Sequence, residues 1–355
     1  MTGLPLWLLL VLFVAAGAVI WVAGVQLSKS TDVLDARLHL GSALGGLIVL
    51  AVATNLPEIA ITVTAAASGS VEVAVGNILG GIALQTVVIV VLDLFGKRTR
   101  DARPLTYRAA SLTLVIEALV VVAVLSIVVA GTQLPKDLDL LRLTPQAVLI
   151  AVVWVVGLFL VRRAGGHLPW HENGTAPDTT PRPTGHRSNH AAPEAKKRVS
   201  TRRAALVFTV AAVATLVAGY VLEQAGDAAS SQVGLSGVLF GATVLALATS
   251  LPEISTGLQA IRQGDENLAI SDIFGGNAFL PVLFLLAGLI SGKAVLPQAQ
   301  SSDIYLTALA ITLSTIYAFG LLFRPRRRVL GMGVDSLLVL IVYAIGVAGL
   351  FAVAK

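Results

Sequence analysis

The sequence has no cysteine, which excludes disulfides, a thiolate nucleophile and any cysteine-based metal site. Charged residues make up only 13% of its 355 positions and aromatics 6%, against 56% hydrophobic residues. With a mean hydropathy of +0.85, that balance excludes an ordinary soluble domain. Histidine is scarce too: His39 stands alone, and His167, His171, His186 and His190 share one polar stretch whose irregular spacing defines no metal geometry. No glycine-rich phosphate loop occurs, so neither a nucleotide nor an organic cofactor is expected. The net charge of +5 falls mostly in short connections between apolar runs, a pattern that fits membrane orientation and not a nucleic-acid partner.

What is present is a series of apolar runs near the ~20 residues that cross a bilayer core. Ten spans are predicted: 4–27, 41–67, 72–95, 106–130, 145–163, 203–224, 235–261, 267–290, 303–323 and 331–353. The first has no positive leading segment and is read as a retained helix, not a signal peptide. Connections after odd-numbered spans hold Lys29, Arg37, Lys97, Arg98, Arg100, Arg103, Arg108, Arg262, Arg324, Arg326, Arg327 and Arg328. The other side holds Lys136, Arg142, Lys293 and Lys355. The positive-inside rule then puts both termini outside and the odd connections in the cytoplasm, here of a bacterial inner membrane.

Three segments follow: a first five-span unit at 1–163, a polar cytoplasmic linker at 164–202 and a second five-span unit at 203–355. The linker ends on Lys196-Lys197-Arg198, suited to anionic lipid. Sliding the sequence by 195 superposes the two units without a gap. Ala53-Thr54-Asn55-Leu56-Pro57-Glu58 falls on Ala248-Thr249-Ser250-Leu251-Pro252-Glu253, Gly24 on Gly219, Gly69 on Gly264 and Gly80-Gly81 on Gly275-Gly276. An odd number of spans per unit inverts the second copy. The expected fold is all-α: about ten transmembrane helices, as two inverted five-helix repeats with broken helices at the midplane, a transporter architecture.

The doubled hexapeptide carries the chemistry. A carboxylate at the centre of a membrane helix costs about 2.5–3.5 kcal/mol on insertion scales. The proline before each one has no N–H for the carbonyl four residues back, and a freed carbonyl survives in hydrocarbon only against protein or a polar cavity. Glu58 and Glu253, with Thr54, Thr249, Asn55, Ser250 and freed carbonyls, make an oxygen-rich nest for a hard cation, Ca2+ better than Mg2+. The plainer reading is polar glue between helices.

Downstream, Gly76-Asn77 matches Ser271-Asp272, and Gln85 in one copy is followed in the other by Asn277. Small residues four apart let helices approach closely. Asp272 lies near the end of its span, so a solvated structural role stands beside a ligand role. Glu117 sits mid-span and its repeat mate is Thr312. A proton relay, a pairing with a neighbouring helix and protonation by burial all remain open for it. Asp93 and Asp335, near span ends, are expected to be solvated.

The segments 41–90 and 236–285, with their Thr-x-x-Pro-Glu motifs followed by Gly-Asn-Ile-Leu-Gly-Gly and Ser-Asp-Ile-Phe-Gly-Gly, resemble the two alpha repeats of the cation/calcium exchanger superfamily, in its sodium/calcium exchanger-like prokaryotic branch. The resemblance implies antiport by alternating access, with the first and sixth helices sliding past the rest. It implies Glu58 and Glu253 as central ligands, Thr54 and Thr249 as carbonyl donors to Ca2+, and Asn55 and Ser250 at sodium-binding positions. The chain departs from the family pattern at Asn55, usually serine, at Gly81 and Gly276, again serines, and at Gln85 and Leu280, usually an amide or acid. The expectation is a divalent-cation antiporter, not an enzyme, with Na+ or H+ as counter-ion. Protons on Glu58 or Glu253, relayed by Glu117, are candidates to replace sodium. Rival readings are an uncoupled channel or sensor and an intramembrane enzyme with paired acids. The partners expected are the transported cations and the lipid bilayer; no oligomeric state is signalled.

Overall fold

The computed structural model describes residues 3–38, 45–69, 71–96, 103–109, 111–135, 143–164, 200–233 and 246–353. The linker's histidines and its Lys196–Arg198 end, like His39, Lys97, Arg98, Arg100, Lys136, Arg142 and Lys355, lie outside them.

The first unit holds α1 (Leu6–Leu38), α2 (Gly45–Thr54), α3 (Leu56–Ser68), α4 (Val71–Phe95), the single turn α5 (Leu105–Arg108), α6 (Leu112–Gly131) and α7 (Pro145–Ala164). The second holds α8 (Thr201–Gln232), α9 (Ala246–Thr249), α10 (Leu251–Gln263), α11 (Glu266–Phe279), α12 (Leu283–Ser291), α13 (Ser301–Phe323), a short antiparallel ribbon of β1 (Arg328–Val329) and β2 (Met332–Gly333), and α14 (Val334–Val353). Seven of these columns are long and apolar enough to cross a membrane. The broken columns α2–α3 and α9–α10, with α14, complete ten.

The 195-residue register survives as geometry. Helices α3 and α10 have matching ends, and each stops on a left-handed glycine, Gly69 at φ 80° and Gly264 at φ 84°, a conformation that costs other residues steric strain. Arg108 reaches Glu266 at 3.1 Å and the carbonyl of Gly96 at 3.2 Å, which brings the end of α4 to the start of α11. At the other face Lys293, just past α12, bonds the carbonyl of Gly69, just before α4. Helix α4 and its repeat mate α11–α12 therefore run antiparallel, the arrangement an inverted repeat requires.

Four helices, α4, α6, α11 and α13, pack together around the centre. Helix α4 is apolar and enclosed around nearly its whole girth, with Ile78, Ile82 and Ile89 fully buried. Helices α1 and α8 form a long pair that reaches the central core through Ala23, Leu27 and Ala211 and adds apolar clusters of its own, such as Ile20 with Leu222 and Leu9 with Ala225. Each leans on the other unit's broken helix. A Cβ on Gly219 of α8 would stand 2.6 Å from Pro57 Cβ, and one on Gly24 of α1 would stand 3.2 Å from the Pro252 carbonyl oxygen.

Several expected boundaries move. Helices α1 and α8 outrun their apolar spans because their polar turns satisfy themselves, as when Thr31 donates to the Leu27 carbonyl at 2.9 Å. The fourth span begins at Leu112, not 106, because the Ser111 side chain caps α6 by accepting from Thr113 N. The eighth is interrupted by a 3-10 turn, Leu280–Val282, around Pro281.

Candidate functional site

The two breaks are alike. Asn55 (φ −88°, ψ 14°) and Ser250 (φ −81°, ψ 3°) each separate two helical segments, with proline opening the next one. Neither residue caps its helix with its side chain. Pro57 and Pro252 cannot donate to the carbonyls of Ala53 and Ala248, so each break leaves a carbonyl without its usual helical partner.

One turn on, Glu58 and Glu253 are 2% and 1% exposed, too dry for bulk water to screen them. Glu253 lies within electrostatic reach of Glu58, Asp272 and the Thr54 hydroxyl, and neither of its oxygens completes a hydrogen bond of ordinary geometry among the described residues. Buried carboxylates gathered this way need a proton or a cation to balance them. Among the described residues no three His, Cys, Asp or Glu side chains converge tightly enough to hold a metal ion unaided. Hydroxyl, amide and backbone oxygens would have to complete any shell around the two glutamates, which suits a hard cation in transit. Thr54, Thr249, Asn55 and Ser250 are all buried at the same breaks.

Of the two roles left open for Asp272, the solvated one does not fit: it is 1% exposed and joins both units. Its Oδ2 accepts from the Thr256 hydroxyl at 2.6 Å, and its Oδ1 lies 3.5 Å from that of Thr54. Thr256 was missed in the sequence, although its position three residues beyond Glu253 puts it on the same helix face. Asn77, the repeat mate of Asp272, is only half-buried, and its Nδ2 has no hydrogen-bond partner among the described residues.

Glu117 accepts from the Ser271 hydroxyl at 2.6 Å, a contact between α6 and α11 that realises the neighbouring-helix pairing. Asn277 donates to Thr86 Oγ1 at 3.0 Å, a residue not singled out from the sequence. Asn55 and Gln85, two departures from the family pattern, bond each other: Gln85 Nε2 donates to Asn55 Oδ1 at 3.3 Å, while Asn55 Nδ2 donates to the Ala51 carbonyl at 2.7 Å. Leu280 is fully buried in the apolar core.

Asp93 and Asp335, expected to be solvated, are buried as well. The turn α5 and the β1–β2 ribbon fold back over the ends of α4 and α14. Leu105 N donates to Asp93 Oδ1 at 2.7 Å and Gly333 N to Oδ2 at 2.6 Å.

A sequence profile described as sodium/calcium exchanger protein matches residues 8–163 and 203–352, nearly the whole chain. The chain belongs to the sodium/calcium exchanger family. Membership makes it a multi-pass membrane protein and a cation antiporter. Among its relatives is CaxA of Alkalimonas amylolytica, provisionally named an antiporter, 25% identical over 86% of this chain and 88% of CaxA. The inner membrane protein YrbG of Escherichia coli K12 is 28% identical over 82% of each chain. The fold superposes on a structure of the sodium-calcium exchanger NCX_Mj with a TM-score of 0.66, at 14% identity, over 97% of this chain and 99% of that one. At that identity the likeness speaks for the fold alone.

Proposed function

We propose that this exchanger moves a divalent cation, Ca2+ foremost, against H+ or Na+, with the proton as the better supported counter-ion. The carrying observation is the pair Glu58 and Glu253, both dry, each one turn past a proline break and within electrostatic reach of one another. Thr54, Thr249, Ser250 and freed carbonyls complete the oxygen shell as the cation passes. The counter-ion follows from what surrounds that pair. The amides of Asn55 and Gln85 are engaged with each other and with the Ala51 carbonyl, and Leu280 offers no oxygen. These departures thin the oxygens that sodium would use to Gln85 Oε1, the second lone pair of Asn55 Oδ1, Ser250 and the freed carbonyls, whereas each glutamate can exchange its cation for a proton. Alternating access is served by the α1–α8 pair, which carries apolar clusters of its own and rests on both proline breaks through Gly24 and Gly219.

The membrane is the inner membrane of a bacterium, as the naming of the Escherichia coli relative also suggests. Both termini lie outside and the linker lies in the cytoplasm. Arginines from separate connections support that orientation by gathering at one face: Arg103, Arg324 and Arg326 stand 4.9, 4.8 and 5.8 Å from the Tyr107 ring centre.

The test is uptake of radiolabelled Ca2+ into proteoliposomes under an imposed pH gradient or an imposed Na+ gradient, for wild type and Glu253→Gln. Uptake driven by the pH gradient and lost in the variant is expected. Uptake driven by Na+ alone would overturn the proton assignment, and uptake under neither gradient would overturn Ca2+ exchange itself.

A further inference from the structure

Away from the transport site, at the arginine-bearing face, Asp93 and Asp335 occupy one buried pocket. It is walled by the end of α4, the turn α5, the ribbon and the junction of α13 with α14. Asp93 is 1% and Asp335 7% exposed, and they come from different units of the repeat. Two glycines mark the space between them. A Cβ on Gly333 would stand 3.3 Å from Asp93 Oδ2 and press on Asp335 Oδ1; one on Gly320 would stand 3.0 Å from Asp335 Cγ. Any side chain at either position would intrude on the carboxylates.

The polar groups there are incompletely satisfied. Asp93 accepts one backbone amide on each oxygen, which leaves about half of the four or so acceptor positions of a carboxylate. Neither oxygen of Asp335, nor the buried hydroxyl of Thr106, completes a hydrogen bond of ordinary geometry among the described residues, although Thr106 and the Ser336 amide stand beside Asp335. Tyr317, fully buried, donates to Ser336 Oγ at 3.4 Å and lies within electrostatic reach of both carboxylates. Arg328 lies on the same wall, where its guanidinium donates to the carbonyl oxygens of Asp93, at 3.1 Å, and of Gly331. Arg328 brings one positive charge beside these two dry carboxylates, which meet at Gly333, so balancing both takes a further cation or a proton.

We propose that Asp93 and Asp335, with the Thr106 hydroxyl, form a second cation site that binds a hard divalent ion such as Ca2+ and is separate from the transport site. Carboxylate and hydroxyl oxygens without nitrogen or sulfur suit that class of ion. Asp93 follows Gln85 by eight residues on α4, roughly 12 Å along the helix. An ion here would tie the end of that helix to the ribbon and α14, so its occupancy on the face read as cytoplasmic would act on α4 and, through it, on exchange.

The experiment uses the full chain in nanodiscs with Glu58→Gln and Glu253→Gln, which removes the two glutamate charges of the transport site, keeps Asp272 and leaves the second pocket intact. Ca2+ binding is measured by titration calorimetry, and Tb3+, a luminescent stand-in for Ca2+, is excited through tyrosine. One retained Ca2+ per chain is expected, with tyrosine-sensitised Tb3+ emission that Ca2+ displaces. Adding Asp335→Asn or Gly333→Ala should weaken that binding at least tenfold, and adding Tyr317→Phe should dim the emission while Ca2+ still binds. No retained Ca2+ in the double glutamine chain overturns the proposal, and that result needs no change in the pocket itself. Retained binding that Asp335→Asn and Gly333→Ala both leave unaltered overturns it too, as would carboxylates that take only a shared proton and never bind Tb3+.

Discussion

At the first break Asn55 stands where the second has Ser250, and the residues around the two positions differ accordingly. A Cβ on Gly276 would come 2.7 Å from Asn55 Nδ2, so the amide occupies space that a side chain at 276 would need. At the repeat mate of Gly276, Gly81, a Cβ would meet nothing within 4 Å. The larger residue on one unit is thus accommodated by a missing side chain on the other. Gln85 of the first unit seals the arrangement by donating to Asn55, whereas its repeat mate Leu280 packs into the core. The site is built across the two units, and a change in one is answered in its partner. Two serine-to-glycine departures that look equivalent in the sequence are therefore different in kind: Gly276 is required by Asn55, and Gly81 is open.

The largest effect tests what the units still share. Glu58→Gln and Glu253→Gln preserve shape and remove one charge each. Each should lower Ca2+ exchange on the order of 100-fold, about 2.8 kcal/mol, in gradient-driven uptake by proteoliposomes. Similar losses would sharpen the picture of one ion held by both units. Loss at only one glutamate would break it and assign the ion to a single half.

The next prediction sets the two glycines against each other. Gly276→Ser drives an oxygen and a carbon into Asn55, and overpacking of this kind costs about 1–3 kcal/mol. Its thermal unfolding midpoint in detergent should fall and its exchange should drop roughly tenfold, at 1.4 kcal/mol per decade. Asn55→Ser in the same chain should restore both, since it empties the space the new side chain enters. Gly81→Ser should change stability by less than about 0.5 kcal/mol, the usual range for substitutions that meet no neighbour. Equal effects at Gly276 and Gly81 would mean that the two sides are not distinct.

Much of this was legible beforehand because proline and glycine act locally. The Leu-Pro-Glu steps at Pro57 and Pro252 and the glycines at Gly69 and Gly264 set the ends of α3 and α10 through backbone chemistry that needs no tertiary knowledge. Hydropathy likewise located the columns. What it could not show was how the connections fold back. Asp93 and Asp335 look like span-end residues facing water until the α5 turn and the ribbon close over them. Asp272 looked equally peripheral, since a span end on paper says nothing of Thr54 arriving from 218 positions away. Asn55 and Gln85 were each visible as departures, but their mutual bond belongs to the packing of α4 against the first break.

A smaller effect is expected at Glu117, where the comparison is with its repeat mate. Thr312 is exposed and satisfies its hydroxyl on its own helix, at the Ala308 carbonyl, whereas Glu117 is buried and takes a 2.6 Å hydrogen bond from Ser271. Ser271 adjoins Asp272, so this mid-span acid outside the central motifs touches the residue next to the one that joins the two units. Glu117→Gln keeps an oxygen to accept from Ser271, so stability should stay within about 0.5 kcal/mol of wild type. If Glu117 passes protons to the site, the amide interrupts that path without touching the cation. Ca2+ binding at equilibrium should then be unchanged, while uptake driven by a pH gradient slows roughly threefold, near 0.7 kcal/mol at 1.4 kcal/mol per decade. Unchanged pH-driven uptake would leave Glu117 a packing contact, and the asymmetry with Thr312 would then concern helix pairing and not transport. Reduced Ca2+ affinity would instead place Glu117 close enough to the ion to count among its neighbours, which would extend the site along α6 in the first unit only.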